Sequence, residues 1–151
     1  MPCGETIFQS NQVTLWPDVI DFWMNGRAYF KYGTGATDPR KNIFAYTQII
    51  WYNSHIIGCA VGHCPESTFP FAYICHYCPG GNLMSKMAKP YKEGPSCGDC
   101  PKACEDKLCT NPCQYADTAF NCRDMKKVYS CKSKLLIDSC KATCKCKKKI
   151  L

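Results

Sequence analysis

Apolar positions in the first half of the chain predict one short helix followed by strands. From Trp16 to Trp23 they recur at helical spacing, and Pro17 suits the first turn of a helix. Three later segments are short apolar, aromatic and β-branched runs bounded by polar or proline-containing breaks, which is typical of strands. These segments are Phe44–Tyr52, Ile56–Cys64 and Phe71–Cys78. A helix followed by adjacent strands predicts an α+β fold.

The predicted strands supply the expected core of the first half. Their large side chains are most simply placed inside the sheet layer. The expected core residues are Phe44, Tyr46, Ile49, Ile50, Trp51, Tyr73 and Tyr77.

The pattern changes after residue 79. Residues 80–112 are rich in Gly, Pro, Asn, Lys and Ser, with four cysteines between Cys97 and Cys109, which indicates a crosslinked hinge. Residues 113–151, here called the basic module, hold six cysteines and two candidate short helices, Asp124–Tyr129 and Ser133–Ser139. So small a unit buries too little apolar area to fold by itself, so crosslinks are expected to replace a core. A Cys113–Cys146 bridge would contribute roughly 4 kcal/mol through loop closure.

Cysteine makes up fifteen of the 151 residues, a density typical of disulfide scaffolds in oxidising compartments. The alternative is zinc, for which Cys75-x2-Cys78 and Cys97-x2-Cys100 have suitable spacing. From Cys97 onward, however, the gaps are 3, 4, 5, 4, 9, 9, 9, 4 and 2, which fit no common zinc module. Disulfides are therefore favoured, and the odd number predicts one thiol without an intrachain partner.

Neither a secretory leader nor a membrane span is predicted. The chain does not start with a charged segment followed by an apolar one, and no apolar run approaches about 18 residues. An extracellular composition without a leader predicts a truncated, processed or partial chain.

The net positive charge of the chain comes entirely from the basic module. Residues 1–112 carry nine basic and nine acidic residues, whereas the basic module carries ten and three, the whole net charge of +7. Such a field favours acidic partners.

Motifs along nearly the whole chain resemble the cysteine-rich secretory proteins, a family of vertebrate reproductive-tract proteins and snake-venom toxins. All fifteen cysteines fall at family positions. The motifs are Cys3-Gly4-Glu5, Tyr46-Thr47-Gln48-Ile49-Ile50-Trp51, Gly58-Cys59, Tyr73-Ile74-Cys75-His76-Tyr77-Cys78-Pro79-Gly80-Gly81-Asn82, Pro90-Tyr91, Cys97-Gly98-Asp99-Cys100-Pro101 and Leu108-Cys109-Thr110-Asn111-Pro112-Cys113.

The resemblance implies three parts. These are the C-terminal half of a CAP (pathogenesis-related) α-β-α sandwich at 1–79, a hinge at 80–112 and a helical ShK-like ion-channel-regulatory domain at 113–151. It implies that Cys64 stays unpaired, with its usual partner upstream of Met1. The implied pairs are Cys3–Cys78, Cys59–Cys75, Cys97–Cys104, Cys100–Cys109, Cys113–Cys146, Cys122–Cys140 and Cys131–Cys144.

The CAP cleft of the family resembles an acid–base or metal site of two His and two Glu. Glu5 matches one Glu, but Ala45 and Gly26 stand where a His and the other Glu are expected, and the remaining His would precede Met1. One carboxylate alone neither holds a divalent metal nor relays a proton. We therefore expect no enzyme activity, no cofactor and no zinc at the cleft.

Other chemistry at cysteine and histidine is less favoured. His63 beside Cys64 and His76 beside Cys75 allow a metal cluster to be imagined, but a Cys75 disulfide would remove that ligand. Cys64 as a nucleophile lacks an evident base and an oxyanion motif. Ordinary surface or strand histidines are the simpler interpretation.

The basic module has three interpretations. Its lysines are a solvated surface, or they neutralise nucleic-acid phosphates, which an extracellular protein rarely meets, or they dock on an acidic channel vestibule. The resemblance favours the third. The expected contact residues are Lys126, Lys127, Tyr129, Lys132, Lys134, Lys141, Lys145 and Lys147.

The predicted function is therefore that of a secreted, non-enzymatic protein that modulates a cation channel or another cell-surface protein from outside. The alternative from another class is a sperm- or egg-surface adhesion protein acting through residues 1–79. A hydrolase dependent on Glu5 is a third hypothesis.

Overall fold

The chain folds as two compact units, one formed by Pro2–Lys92 and one that begins at Glu93. A computed structural model describes residues 2–119, 121–147 and 149–150. Helices and strands are mixed along the chain, so the α+β fold class is confirmed. Domain boundaries after residues 79 and 112 stay a prediction.

The N-terminal unit is built on a three-stranded antiparallel sheet with strand order β1-β5-β4. The unit also has two short α-helices, two 3₁₀ helices (Asn25–Tyr29 and Met84–Lys86) and a two-stranded ribbon, β2 with β3. The elements are β1 (Gly4–Ser10), α1 (Trp16–Met24), β2 (Phe30–Lys31), β3 (Gly35–Ala36), α2 (Phe44–Ile49), β4 (Ile56–His63) and β5 (Phe71–Cys78). The helix predicted from Trp16 and the last two predicted strands are thus confirmed to within a residue, whereas β1 was not predicted.

One face of the central strand β5 forms the core of this unit. Alternate side chains Tyr73, Cys75 and Tyr77 are buried against Val19 and Trp23 of α1. This alternation is the period-2 pattern of a strand with one covered face. The sheet edge β4 receives no such cover, and every one of its residues is exposed.

The prediction of a strand at Phe44–Tyr52 is wrong, because this segment begins with helix α2. Buried residues in and beside this segment are Ile43, Thr47, Gln48 and Trp51, at the three- and four-residue spacing of one helix face. The Thr47 hydroxyl donates to the Ile43 carbonyl at 3.1 Å, a bond that a β-branched residue makes in a helix. The aromatic and β-branched composition of this segment therefore indicated a strand, although its buried residues follow helical spacing.

Only part of the predicted core is buried. Trp51, Tyr73 and Tyr77 are buried, whereas Phe44 is 53% exposed because it lies on the outer face of α2. Tyr46, Ile49 and Ile50 are half-buried.

The C-terminal unit has a small ribbon and three short helices. The ribbon pairs β6 (Cys104–Glu105) with β7 (Leu108–Cys109). The helices are α3 (Cys122–Val128), α4 (Lys134–Ser139) and α5 (Lys141–Lys145). The two predicted helices of the basic module are therefore confirmed as α3 and α4, within two residues at each end, and α5 was not predicted.

Candidate functional site

The core of the basic module consists largely of disulfide-bonded cysteine side chains. Leu136 of α4 is fully buried against Cys122 and Cys140, with Cys131 and Cys144 packed beside them. A second small cluster joins Cys113, Ala142 and Cys146. Three disulfides cross this interior: Cys113–Cys146, Cys122–Cys140 and Cys131–Cys144. Helix positions are therefore fixed mainly by covalent bonds, as expected for a unit with so few apolar residues.

Thr143 of α5 is held from two sides. Its backbone N–H donates to Asp117 Oδ1 at 3.0 Å, and its hydroxyl donates to Asp117 Oδ2. Asp117 thereby satisfies a free N–H in the first turn of α5, as an N-cap residue does. On the other side, Lys126 Nζ donates to the Thr143 carbonyl at 3.0 Å and ties α3 to α5.

Three of the expected channel-contact lysines have partners within the protein. Lys126 bonds to the Thr143 carbonyl, as above. Lys127 Nζ lies 2.7 Å from Asp124 Oδ1, and this hydrogen bond holds the pKa of the exposed Asp124 carboxyl below its usual value. Lys145 Nζ lies 4.8 Å from the centroid of the Tyr115 ring. The ammonium of Lys126 therefore ties two helices together, and Asp124 partly offsets the charge of Lys127, whereas Lys145 keeps its charge beside an uncharged ring.

The remaining four expected lysines are exposed, and we call them the free lysines. Their ammonium groups contact no partner within the described part of the chain. They are Lys132, Lys134, Lys141 and Lys147. Tyr129, the one aromatic residue of the predicted set, follows α3 in extended conformation and is 48% exposed. Because no internal bond has to break, these groups are the best placed to meet an external anion.

Glu5, the remnant of the CAP cleft, is paired with a histidine of the neighbouring strand. Glu5 Oε2 lies 2.7 Å from His76 Nε2, and both side chains are about half exposed. The two residues face each other across β1 and β5, so the pair follows from sheet register. This contact was missed in the sequence because β1 was not predicted.

The two substituted cleft positions are accommodated by local packing. Ala45 packs against the core of the N-terminal unit. A Cβ on Gly26 would lie 2.9 Å from Tyr46 Cβ and 3.1 Å from the Ile43 backbone. A glutamate at position 26 would therefore require this region to move apart.

All fifteen cysteines lie among the described residues, and fourteen are joined in seven disulfides. Besides those of the basic module, the bridges are Cys3–Cys78, Cys59–Cys75, Cys97–Cys104 and Cys100–Cys109. These are the pairs implied by the resemblance, and Cys64 is the free, exposed thiol.

The sulfur atoms of Cys97, Cys100 and Cys109 lie within 4.8 Å of one another, the one close group of possible metal ligands in the described ranges. All three are in disulfides, so they offer no thiolate to a metal.

Across residues 2–119, 121–147 and 149–150, none of the helices combines the length and the apolar character needed to cross a bilayer. The longest helix, α1, has nine residues, whereas a span takes about 20.

Two family models match the chain. Residues 2–77 match the model described as the cysteine-rich secretory protein family, in which CAP is the short name. Residues 97–151 match the model named Crisp. Together the matched ranges include both edge strands of the sheet, the two ribbons and all three helices of the basic module.

Proposed function

Since the chain belongs to the cysteine-rich secretory protein family, we propose that its basic module modulates a cation channel from the extracellular side. Family membership and the seven disulfides fit a secreted protein. Proteins of this family are generally not enzymes, so we propose a binding function and not a catalytic one. The observation that carries the proposal is the +7 charge of one crosslinked module with four free lysines.

The free lysines suit an acidic pore mouth for electrostatic and entropic reasons. Cation channels present rings of carboxylates, which attract ammonium groups. Disulfides hold the backbone of the basic module rigid, so binding orders little besides side chains. At about 0.2–1 kcal/mol for each exposed ion pair, four would contribute roughly 0.8–4 kcal/mol, or about 4- to 900-fold in Kd.

Patch-clamp recording with the full chain tests the proposal. Protein is applied outside, and separately inside, to cells that express calcium, potassium or cyclic-nucleotide-gated channels. We expect a current change only from outside, weakening as ionic strength rises because exposed charges are screened. Absence of any effect across the three channel classes would exclude the proposal.

Charge variants locate the effect within the protein. Changing the four free lysines to Gln should raise the effective concentration at least about fourfold. The matched control removes four exposed positive charges outside the basic module: Lys31→Gln, Lys86→Gln, Lys89→Gln and Lys102→Gln. If the control weakens the effect as much, net charge rather than the basic module is responsible.

Adhesion through the N-terminal unit is a second candidate, favoured by one observation. Strand β4 exposes Ile56, Ile57 and Val61, each more than half accessible. Apolar exposure on this scale is typical of interaction surfaces. Binding of the full chain to sperm or egg surfaces that is lost with Ile57→Ser and Val61→Ser, but kept when the free lysines become Gln, would favour adhesion.

A further inference from the structure

The turn between α3 and α4 combines exposed apolar side chains with exposed lysines. We call residues 127–135 the α3–α4 corner. Within it, Val128 is 77%, Tyr129 48% and Leu135 60% exposed. Single exposed apolar residues are ordinary, whereas three within eight positions of a strongly basic segment are a candidate binding surface.

The corner is held in place from within the basic module. Ser133 N donates to the Ser130 carbonyl at 2.9 Å, and Lys132 N donates to Ser130 Oγ at 3.2 Å. Cys131 is bonded to Cys144 of α5. Leu136, next to the exposed Leu135, is fully buried. The apolar tip is therefore presented outward by a fixed backbone.

The charges of the corner identify the chemistry of its partner. Lys132 and Lys134 are exposed and contact no partner in the described chain, whereas Lys127 is paired with Asp124. Two free ammonium groups beside a small apolar tip match the layered chemistry of a bilayer surface, where phosphates overlie the acyl boundary. A tyrosine is suited to the interface between headgroups and acyl chains, because its ring is apolar and its hydroxyl can remain hydrated.

We propose that the α3–α4 corner docks on a lipid bilayer whose headgroups carry negative charge. Val128 and Leu135 enter the acyl boundary, Tyr129 lies at headgroup depth, and Lys132 and Lys134 contact phosphates. The inference goes beyond channel modulation and is tested without any channel.

Vesicle binding by the full chain tests the docking. Sedimentation is measured with phosphatidylcholine vesicles and with vesicles containing 30% phosphatidylserine. We expect binding to the anionic vesicles, about 25-fold weaker after Lys132→Gln with Lys134→Gln, at about fivefold per lysine near a charged surface. Val128→Ser with Leu135→Ser should weaken binding by about tenfold per residue. The matched control, Lys31→Gln with Lys86→Gln, should bind like the unchanged protein.

Insertion depth provides the second readout. Tyr129→Trp places a reporter in the corner, and its emission above that of the unchanged protein should be quenched by lipids brominated near the headgroup end of the chain. Absence of binding, binding without quenching, or serine variants that bind normally would each overturn the inference. Vesicle binding without any channel effect would contradict the proposed function alone, and channel modulation without vesicle binding would contradict this inference alone.

Discussion

Replacing Leu136 tests whether the basic module depends on one apolar side chain among its disulfides. Leu136 is fully buried against Cys122 and Cys140. Leu136→Ala removes three carbon groups, worth about 2.4 kcal/mol of transfer free energy at about 0.8 kcal/mol each. A cavity that the crosslinked walls cannot close adds to this, so we expect a loss of about 3–4 kcal/mol.

The adjacent leucine is the matched control. Changing Leu135 to alanine removes the same atoms, but Leu135 is 60% exposed. Leu135→Ala should therefore change the free energy of unfolding by less than about 0.5 kcal/mol.

Hydrogen exchange with the disulfides intact measures both variants within the full chain. Amides of α3 and α4 should exchange about 160- to 900-fold faster in Leu136→Ala, while those of β5 keep their protection. Unchanged protection in α3 and α4 would refute the reasoning, because it would mean that the disulfides alone hold the helices. Equal effects of the two alanine variants would refute the assigned burial.

Two further substitutions test contacts that fix local structure. A Cβ on Gly81 would lie 2.6 Å from Trp51 Cγ, so Gly81→Ala should lower the free energy of unfolding by about 1–3 kcal/mol in thermal or denaturant melts. Gly62→Ala has open space within 4 Å and should be close to neutral, and a comparable loss there would contradict the packing explanation. Asp117→Ala removes the acceptor of the Thr143 N–H and should destabilise α5 by about 1–2 kcal/mol. Hydrogen exchange of α5 checks this, and unchanged protection would show that the cap is dispensable.

Elements with a strong local pattern were predictable from the sequence. Helix α1 has Pro17 in its first turn and buries Val19 and Trp23 on one face. In strand β5 the buried Tyr73, Cys75 and Tyr77 alternate with residues that are half-buried or exposed, with period 2. In both cases the residues that determine the element lie within it.

Elements defined by distant contacts were not predictable. Strand β1 buries only Thr6 among its seven residues, and its position depends on pairing with β5 some 70 residues later. Helix α5 has five residues, and the carboxylate at its first turn comes from Asp117. Composition misassigned α2 because its aromatic and β-branched residues are typical of strands.

The candidate site was predictable in charge but not in the role of each residue. Concentration of positive charge in the basic module can be counted directly in the sequence. The hydrogen bond from Lys126 to the Thr143 carbonyl, however, can be predicted only if one knows that α3 lies against α5. The apolar tip at Val128 and Leu135 was likewise hidden, since helix periodicity alone does not tell an exposed leucine from the buried Leu136.

A crosslink map of the unreduced full chain tests most directly whether three bridges hold the free lysines in place. Alkylation, digestion and mass spectrometry should find Cys113–Cys146, Cys122–Cys140 and Cys131–Cys144, with a single alkylated thiol at Cys64. Any other pairing among these six cysteines, additional free thiols, or stoichiometric zinc in the purified protein would contradict the crosslinked scaffold and the lysine surface that depends on it.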